Sequence, residues 1–431
     1  MISAVRERRP QPRRSHALPL REAELSRLWA AQAIPPEALV TRDGRQVVVR
    51  YRGRPGNGPG PDFRDAVIWT GEGWLRGDVE LHVRASDFVR HGHHLDRAYL
   101  RLALHVVFDE DTPETLLLDG RAVPTIALGR WVQRRAGEIR LALAGTESYH
   151  EPCHDAAVRL GPDTVRATLL DGGDERLREK TGTLADLIQE LGADEALYVA
   201  LARALGLTAN VAPMERVART LPLAELRAIA ASSADPTLTV EAALLGAAGL
   251  LDGQLALWSG GDCAALLDAW QRLGAPRAAG VSWDAAPRRP GTGPRERLRA
   301  LAALVLRPGP PLDSTLAGWR TLLDGGAEPL LRALSVTGLA GRDRALELAI
   351  NAVLPWLLAA WPEDLALAGS VRATFRALPA PTVYGATRPL TTALRDDRGR
   401  TLVRDAATAQ GALLFTRRWC TQGGCGCCPL S

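Results

Sequence analysis

The hydrophobic pattern of the chain changes period once. Between Gln46 and Leu128 apolar positions alternate with polar ones; from Gly161 onward they recur at i, i+3 and i+4. The first pattern predicts strands over Gln46–Tyr51, Phe63–Trp69, Trp74–Val83, Leu100–Phe108, Thr115–Leu118 and Val123–Leu128. Gly71-Glu72-Gly73 supplies a hairpin turn, and Ser86–Asp96 reads as a turn or short helix. A helix over Arg21–Ala33 precedes the strands, with Leu25, Leu28 and Trp29 at helical spacing. The second pattern predicts helices over Leu184–Leu191, Ala193–Leu205, Leu223–Ala231, Val240–Leu251, Arg295–Val305, Leu316–Leu323 and Asp343–Leu358. Ala285–Pro294, rich in Pro, Gly and Arg, reads as a linker between helical halves.

The fold class expected from this is α+β. A basic, Pro-broken tail without periodicity, read as disordered, covers residues 1–18. An α+β domain follows over 19–150, then a helical region over 151–410 and a Cys-rich tail over 411–431.

Alternation also sorts the hairpin residues by face. With the turn centred on Glu72, Asp62 lies opposite His82 and Arg64 opposite Glu80. Phe63, Val67, Trp69, Val79, Leu81 and Val83 then share a core face that Asp65 interrupts. Asp62, Asp78, Glu80 and His82 share the other. Ionised carboxylates that close repel one another unless a cation joins them. Carboxylates with one imidazole suit Mg²⁺ or Mn²⁺, and a richer histidine set suits Zn²⁺ or Fe²⁺. The bland alternative is the solvated face of a hairpin.

Five of the eight histidines fall between His82 and His105. His91, His93 and Asp96 are second candidates for the same centre. His105 joins them on the less apolar side of its strand, opposite the side shared by Leu100, Leu102, Leu104, Val106 and Phe108.

Composition narrows the chemistry further. The chain carries 53 basic and 49 acidic residues, a net charge of +4 that permits nucleic-acid binding without requiring it. Lys180 is the one lysine, so any mechanism needing a catalytic amine must use it or a substitute. Arg6–Arg14 could contact a phosphate backbone. No Walker loop, dinucleotide glycine fingerprint or Gly-x-Ser-x-Gly elbow is present. There is no secretory leader pattern, and the most apolar stretch, Leu346–Trp361, is interrupted by Glu347, Asn351 and Pro355. The expectation is a cytoplasmic protein without a membrane span, its six cysteines reduced or bound to metal.

Two resemblances add to this reading. Pro61-Asp62, followed by Glu80-Leu81-His82, resembles the PD-(D/E)xK nuclease core, with His82 where that superfamily carries lysine. The resemblance implies a restriction-endonuclease-like mixed sheet with flanking helices. It also implies that Asp62 and Glu80 hold a divalent metal. A second resemblance runs through Gly60-Pro61-Asp62-Phe63-x-x-Ala66, Gly77-Asp78-Val79-Glu80-Leu81-His82-Val83 and Ser86-Asp87-Phe88-x-x-His91-Gly92-His93. It continues through Asp96-x-Ala98-Tyr99 and Leu104-His105-Val106-Val107 to Cys420-x4-Cys425-x2-Cys428-Pro429-Leu430. This order is similar to a bacterial family known only as domain of unknown function 2851, which brings no activity with it.

The cysteines form a second constellation. Cys420, Cys425 and Cys428 supply three thiolates at metal-binding spacing, and Cys153 is a candidate fourth. Zinc and an iron–sulfur cluster both fit. Some nucleases with the resembled core hold a cluster with one cysteine before a helical region and three near the carboxy terminus. Cys263, in a helical pattern, reads as a small core residue.

Three functions follow as expectations. The first is a Mg²⁺- or Mn²⁺-dependent nuclease or phosphodiesterase on DNA or RNA, with Asp62 and Glu80 on the metal and His82 on the attacking water or among the ligands. The second is a non-catalytic nucleic-acid-binding or scaffold protein on a degenerate core. The third is a zinc- or iron-dependent hydrolase using His82, His91, His93 and Asp96.

Overall fold

The alternating segments pair into one mixed sheet. The computed structural model describes residues 20–431 apart from 57, 72, 146–150, 208, 252–261, 285–292, 313–314 and 383. The basic tail and most of the expected linker therefore lie outside the described residues, as does Glu72 of the hairpin turn. Two units emerge, Met1–Asp155 with Arg417–Ser431, and Ala156–Thr416.

The first unit is α+β. It opens with α1 (Glu22–Ala30), where the Glu24 carboxylate accepts from the Arg21 N–H at 2.8 Å and Leu25, Leu28 and Trp29 are buried. Strands β1 (Val48–Tyr51), β2 (Arg54–Pro55), β3 (Phe63–Trp69) and β4 (Trp74–Arg84) follow. A crossover containing α2 (Asp87–Arg90) leads to β5 (Leu102–Asp109). Then come β6 (Thr115–Leu116), β7 (Ala122–Val123), β8 (Thr125–Ala127), α3 (Gly129–Arg134) and α4 (Ala136–Gly145). The sheet order is β1-β3-β4-β5-β8, with β2 paired to β3. β1, β3 and β4 pair antiparallel, whereas β4–β5 and β5–β8 are parallel. Parallel pairing forces the chain to cross over between β4 and β5. That crossover carries His91 and His93.

The hairpin register corrects the sequence expectation. Asp62 does not lie opposite His82, nor Arg64 opposite Glu80: Phe63 pairs with Val79, and Ala66 with Gly77. The shift falls between those pairs, at Asp65, whose φ is 61°. A bulge inserts one residue and reverses the parity beyond it. Phe63, Ala66 and Ile68 therefore face the core, rather than Phe63, Val67 and Trp69. Asp65 stays at the bulge because its N–H donates to Asp78 Oδ1 at 3.0 Å. Its carboxylate accepts from Arg101 at 2.9 Å and Arg54 at 2.7 Å. Burial opposes the charge, but these hydrogen bonds hold Asp65 below the usual carboxylate range.

One face of the sheet packs Val79, Leu81, Leu104, Val106 and Ile126 against α1, Val132 of α3 and Ile139 of α4. The other face carries Asp78, Glu80, His82 and His105, all buried, beside a smaller apolar cluster around Phe88 and Tyr99.

The second unit is helical among its described residues. It begins with α5 (Ala156–Leu160), α6 (Pro162–Leu191) and α7 (Ala193–Gly206) and has its own hydrophobic core. The expected helix over Val240–Leu251 is displaced to Pro236–Ala247. Asp235 caps it by accepting from Leu238 N at 3.0 Å, and Pro236 fixes the first turn. Asp343–Leu358 is not one α-helix: Arg342–Leu348 and Leu354–Ala360 flank a π-turn, Ala349–Val353. Among the described residues no helix is long and apolar enough to cross a membrane.

Candidate metal centre

Strand alternation places Glu80 and His82 on the same face of β4, and the parallel register sets His105 of β5 beside Glu80. The crossover then folds His91 and His93 down onto them. The ligand nitrogens of His82, His91 and His93 all lie within 4.8 Å of one another, the only such cluster of three or more metal-ligating groups among the described residues. His82 Nε2 is 3.2 Å from His91 Nδ1 and 3.6 Å from Glu80 Oε1. Glu80 Oε1 is also 3.3 Å from His93 Nε2. Phe88 walls the cluster at 5.4 Å from the His105 ring and 5.5 Å from the His93 ring, and Tyr99 stacks on His93 at 4.2 Å.

Asp62, at the entrance to β3, adjoins Glu80 through the backbone. Its N–H donates to Glu80 Oε2 at 3.0 Å, and its own Oδ2 accepts from Leu81 N at 2.9 Å. The corrected register accounts for this, since it sets Asp62 level with Glu80.

One donor–acceptor assignment of the Thr125–Thr115–His105–His82 chain prepares His82 as a ligand. The Val123 carbonyl can only accept, so Thr125 donates to it at 3.2 Å. Thr115 Oγ1 then donates to Thr125 at 3.4 Å and accepts from His105 Nδ1 at 2.7 Å. His105 Nε2 is left as an acceptor, and His82 Nδ1 donates to it at 3.0 Å. His82 Nε2 therefore presents a lone pair toward His91, Glu80 and His93, a tautomer assigned from the network. An imidazole oriented by a partner on its other nitrogen is how proteins prepare a metal ligand.

The electrostatics agree. Burial, then the neighbouring imidazoles of His93 and His91, pushes His82 down to about 4. Burial, then His82, pushes His105 down to about 3. Both are neutral near pH 7. Burial, then the charges of Asp62 and Glu22, pushes Glu80 up to about 9, although the Asp62 N–H opposes this. Burial also raises Asp62. Lone pairs and carboxylates thus converge with Arg90 as a distant cation, and a divalent ion would reverse the Glu80 shift.

The structure brings together Asp62, Glu80, His82, His91, His93 and His105. It does not enlist Asp96, which is exposed and caps a 3₁₀ turn by accepting from Ala98 N at 2.8 Å. Cys153, Cys420, Cys425 and Cys428 belong to the same unit but lie away from this cluster, beside β1 and β2. Sequence reasoning missed Glu22, at the start of α1, whose Oε1 lies 4.0 Å from His82 Nε2. It also missed Thr115. Neither stands near a motif, and only tertiary pairing reveals them.

No curated protein and no solved structure matches the chain. A family described as protein of unknown function, DUF2851, matches residues 22–316, a span that runs from Glu22 through every residue of the centre and covers more than half of the chain. The protein belongs to the DUF2851 family.

Proposed function

We propose that the first unit is a metal-dependent phosphodiester hydrolase acting on nucleic acid, its metal held by His82, His91, His93 and Glu80. One observation carries the reading: three imidazole nitrogens within 4.8 Å of one another, two of them within 3.6 Å of one Glu80 oxygen. A centre so rich in imidazole favours Mn²⁺, Fe²⁺ or Zn²⁺ over Mg²⁺. This joins the histidine-based metal of one expectation to the phosphodiester chemistry of another. The phosphodiester assignment is supported by the Pro61-Asp62, Glu80-Leu81-His82 order on adjacent strands of a mixed sheet. Exposed Arg64 and Arg84 flank those positions and can meet phosphate from solvent.

A bound ion supplies a water of lowered pKa and offsets charge on the phosphorane-like transition state. The chain supplies the rest. The Thr115–His105 pair holds His82 in its ligand tautomer. Phe88 and Tyr99 screen one side from water. Asp62 keeps one carboxylate oxygen clear of its Leu81 hydrogen bond, free to orient the attacking water.

The test is cleavage of single- and double-stranded DNA and of RNA by chelator-treated protein given back Mn²⁺, Zn²⁺, Fe²⁺ or Mg²⁺. Glu80→Ala and Asp62→Ala should each lower the rate by roughly 10²–10⁴-fold, the range for loss of a positioned acid–base group. Variants that cut as well as the parent, or cleavage indifferent to metal, would sink the proposal.

A further inference from the structure

We infer that Cys153, Cys420, Cys425 and Cys428 together ligate a polynuclear iron–sulfur centre that fastens the carboxy-terminal segment to the edge of the sheet. This site is separate from the histidine centre and does not depend on its function.

All four thiols are free and half-buried, and no disulfide joins them. They come from two distant stretches of chain that meet at Tyr51, the last residue of β1. The Tyr51 hydroxyl donates to Glu151 Oε2 at 2.7 Å, two residues before Cys153, and the same side chain hydrogen-bonds Cys425. Gly426, at φ +81°, rests against Tyr51: a Cβ there would lie 2.3 Å from the Tyr51 Cβ. Arg54 of β2 donates to the Cys420 carbonyl at 3.3 Å. Cys153 has Cys420, Cys425 and Cys428 as electrostatic neighbours, so the two stretches bring their thiols into one neighbourhood.

The tail is wound so as to present those sulfurs. Gly424 N donates to Trp419 O at 2.7 Å, and Cys427 N to Gly424 O at 3.1 Å. Ser431 N donates to Cys428 O at 2.9 Å. These turns leave Cys427 exposed while its neighbours point inward. Leu430 N donates to Cys428 Sγ at 3.4 Å, a contact that favours the thiolate and recurs around cluster sulfurs. Apart from Leu430, the segment buries little apolar side chain, too little to offset the cost of ordering it. A metal centre would provide the missing stabilisation.

Spacing selects the occupant. Tetrahedral zinc with Zn–S near 2.3 Å sets its sulfurs about 3.8 Å apart. Among the described residues no three cysteine sulfurs lie within 4.8 Å of one another. Thiols of which no three share that reach fit a cluster, whose sulfurs bind different irons, better than a single ion.

The test uses the full chain purified without oxygen. Iron and acid-labile sulfide in equal amounts, with broad visible absorption, are expected. Cys425→Ser and Cys428→Ser should lose both, while Cys427→Ser and Cys263→Ser retain them. His82→Ala with His93→Ala should keep the sulfide, which separates this iron from any at the histidine centre. Should the cysteine variants fail to fold, the parent decides alone: acid and chelator, without oxygen, must release iron and sulfide together and leave four more reactive thiols. A colourless protein carrying zinc, or iron without sulfide, overturns the cluster. Metal-free protein whose thiols all react at once overturns the site.

Discussion

Each unit buries a polar cluster, and the two are built on opposite rules. In the helical unit Lys180 donates to Asn351 Oδ1 at 2.7 Å and to Gln410 Oε1 at 2.8 Å. Gln410 also accepts from Arg176 at 2.9 Å. Asn351 and Tyr384 donate to the two oxygens of Glu347, at 2.7 and 2.8 Å. Each of these donors meets an acceptor. In the sheet unit the Glu80 carboxyl, the His82 lone pair and the His91 and His93 rings converge without a cationic side chain among them, held apart from full ionisation by burial. The helical cluster lines a cavity of about 760 Å³, which invites reading it as the functional site. Closure argues otherwise. A satisfied network holds helices together, whereas an unsatisfied one is stable only once something fills it.

The harshest way to break that contrast is to remove ligands. His91→Ala with His93→Ala should lower metal affinity on the order of 10³-fold or more, beyond the roughly 10–100-fold cost of disturbing an outer partner. Inductively coupled plasma analysis of dialysed protein reads this directly, and undiminished metal would mean the imidazoles are not its ligands. The outer partner comes next. His105→Ala leaves His82 free to take the wrong tautomer, so affinity should fall roughly 10–100-fold while the sheet stays folded by circular dichroism. An unchanged affinity would dissolve the relay through Thr115.

Proton release is the third measure. In the metal-free protein Glu80 titrates near pH 9, so at neutral pH it carries a proton that the ion must displace. His82 and His105 titrate at about 4 and 3 and are already neutral, so they release none. Affinity should therefore rise about tenfold per pH unit toward pH 9 and flatten above it, with one proton released per ion. Calorimetry in buffers of different ionisation heat counts that proton. Stability has the opposite slope when metal is absent. The folded state holds the Glu80 proton between about 4.5 and 9 and the unfolded state does not, so the metal-free protein loses stability as pH rises through that window.

The two clusters also differ in how far the sequence revealed them. Phe63–Trp69 appears at its observed limits, because alternation reports strands directly. Asp62, Glu80 and His82 were legible for the same reason. The register was not, because a bulge at Asp65 is a backbone event that alternation cannot display. His105 could be placed on the polar side of its strand, but its contact with His82 needs the parallel β4–β5 pairing, which no local pattern encodes. Glu22 lies outside every motif. In the helical unit the apolar period located helices yet said nothing of Lys180, because a buried lysine looks like a surface one in sequence. The π-turn that carries Asn351 to it leaves no periodic trace.

Lys180 gives the finest test of the contrast. Burial pushes it down to about 7 from the usual lysine range, so the folded state binds fewer protons than the unfolded chain between about 7 and 10.5. Its contribution to stability is thus lowest below pH 7 and grows as pH rises through that window. Lys180→Met removes the amine that bonds Asn351 Oδ1 and leaves Gln410 Oε1 with Arg176 alone, a cost of about 1–3 kcal/mol. The loss relative to the parent should be larger near pH 9 than near pH 6.5, read from thermal unfolding at both. Metal content and cleavage should stay at the parent's level at either pH, because a closed network has no call on the centre. If cleavage vanished while unfolding was unchanged, the chain's only lysine would be chemical rather than structural, and closure would no longer separate a scaffold network from a functional one.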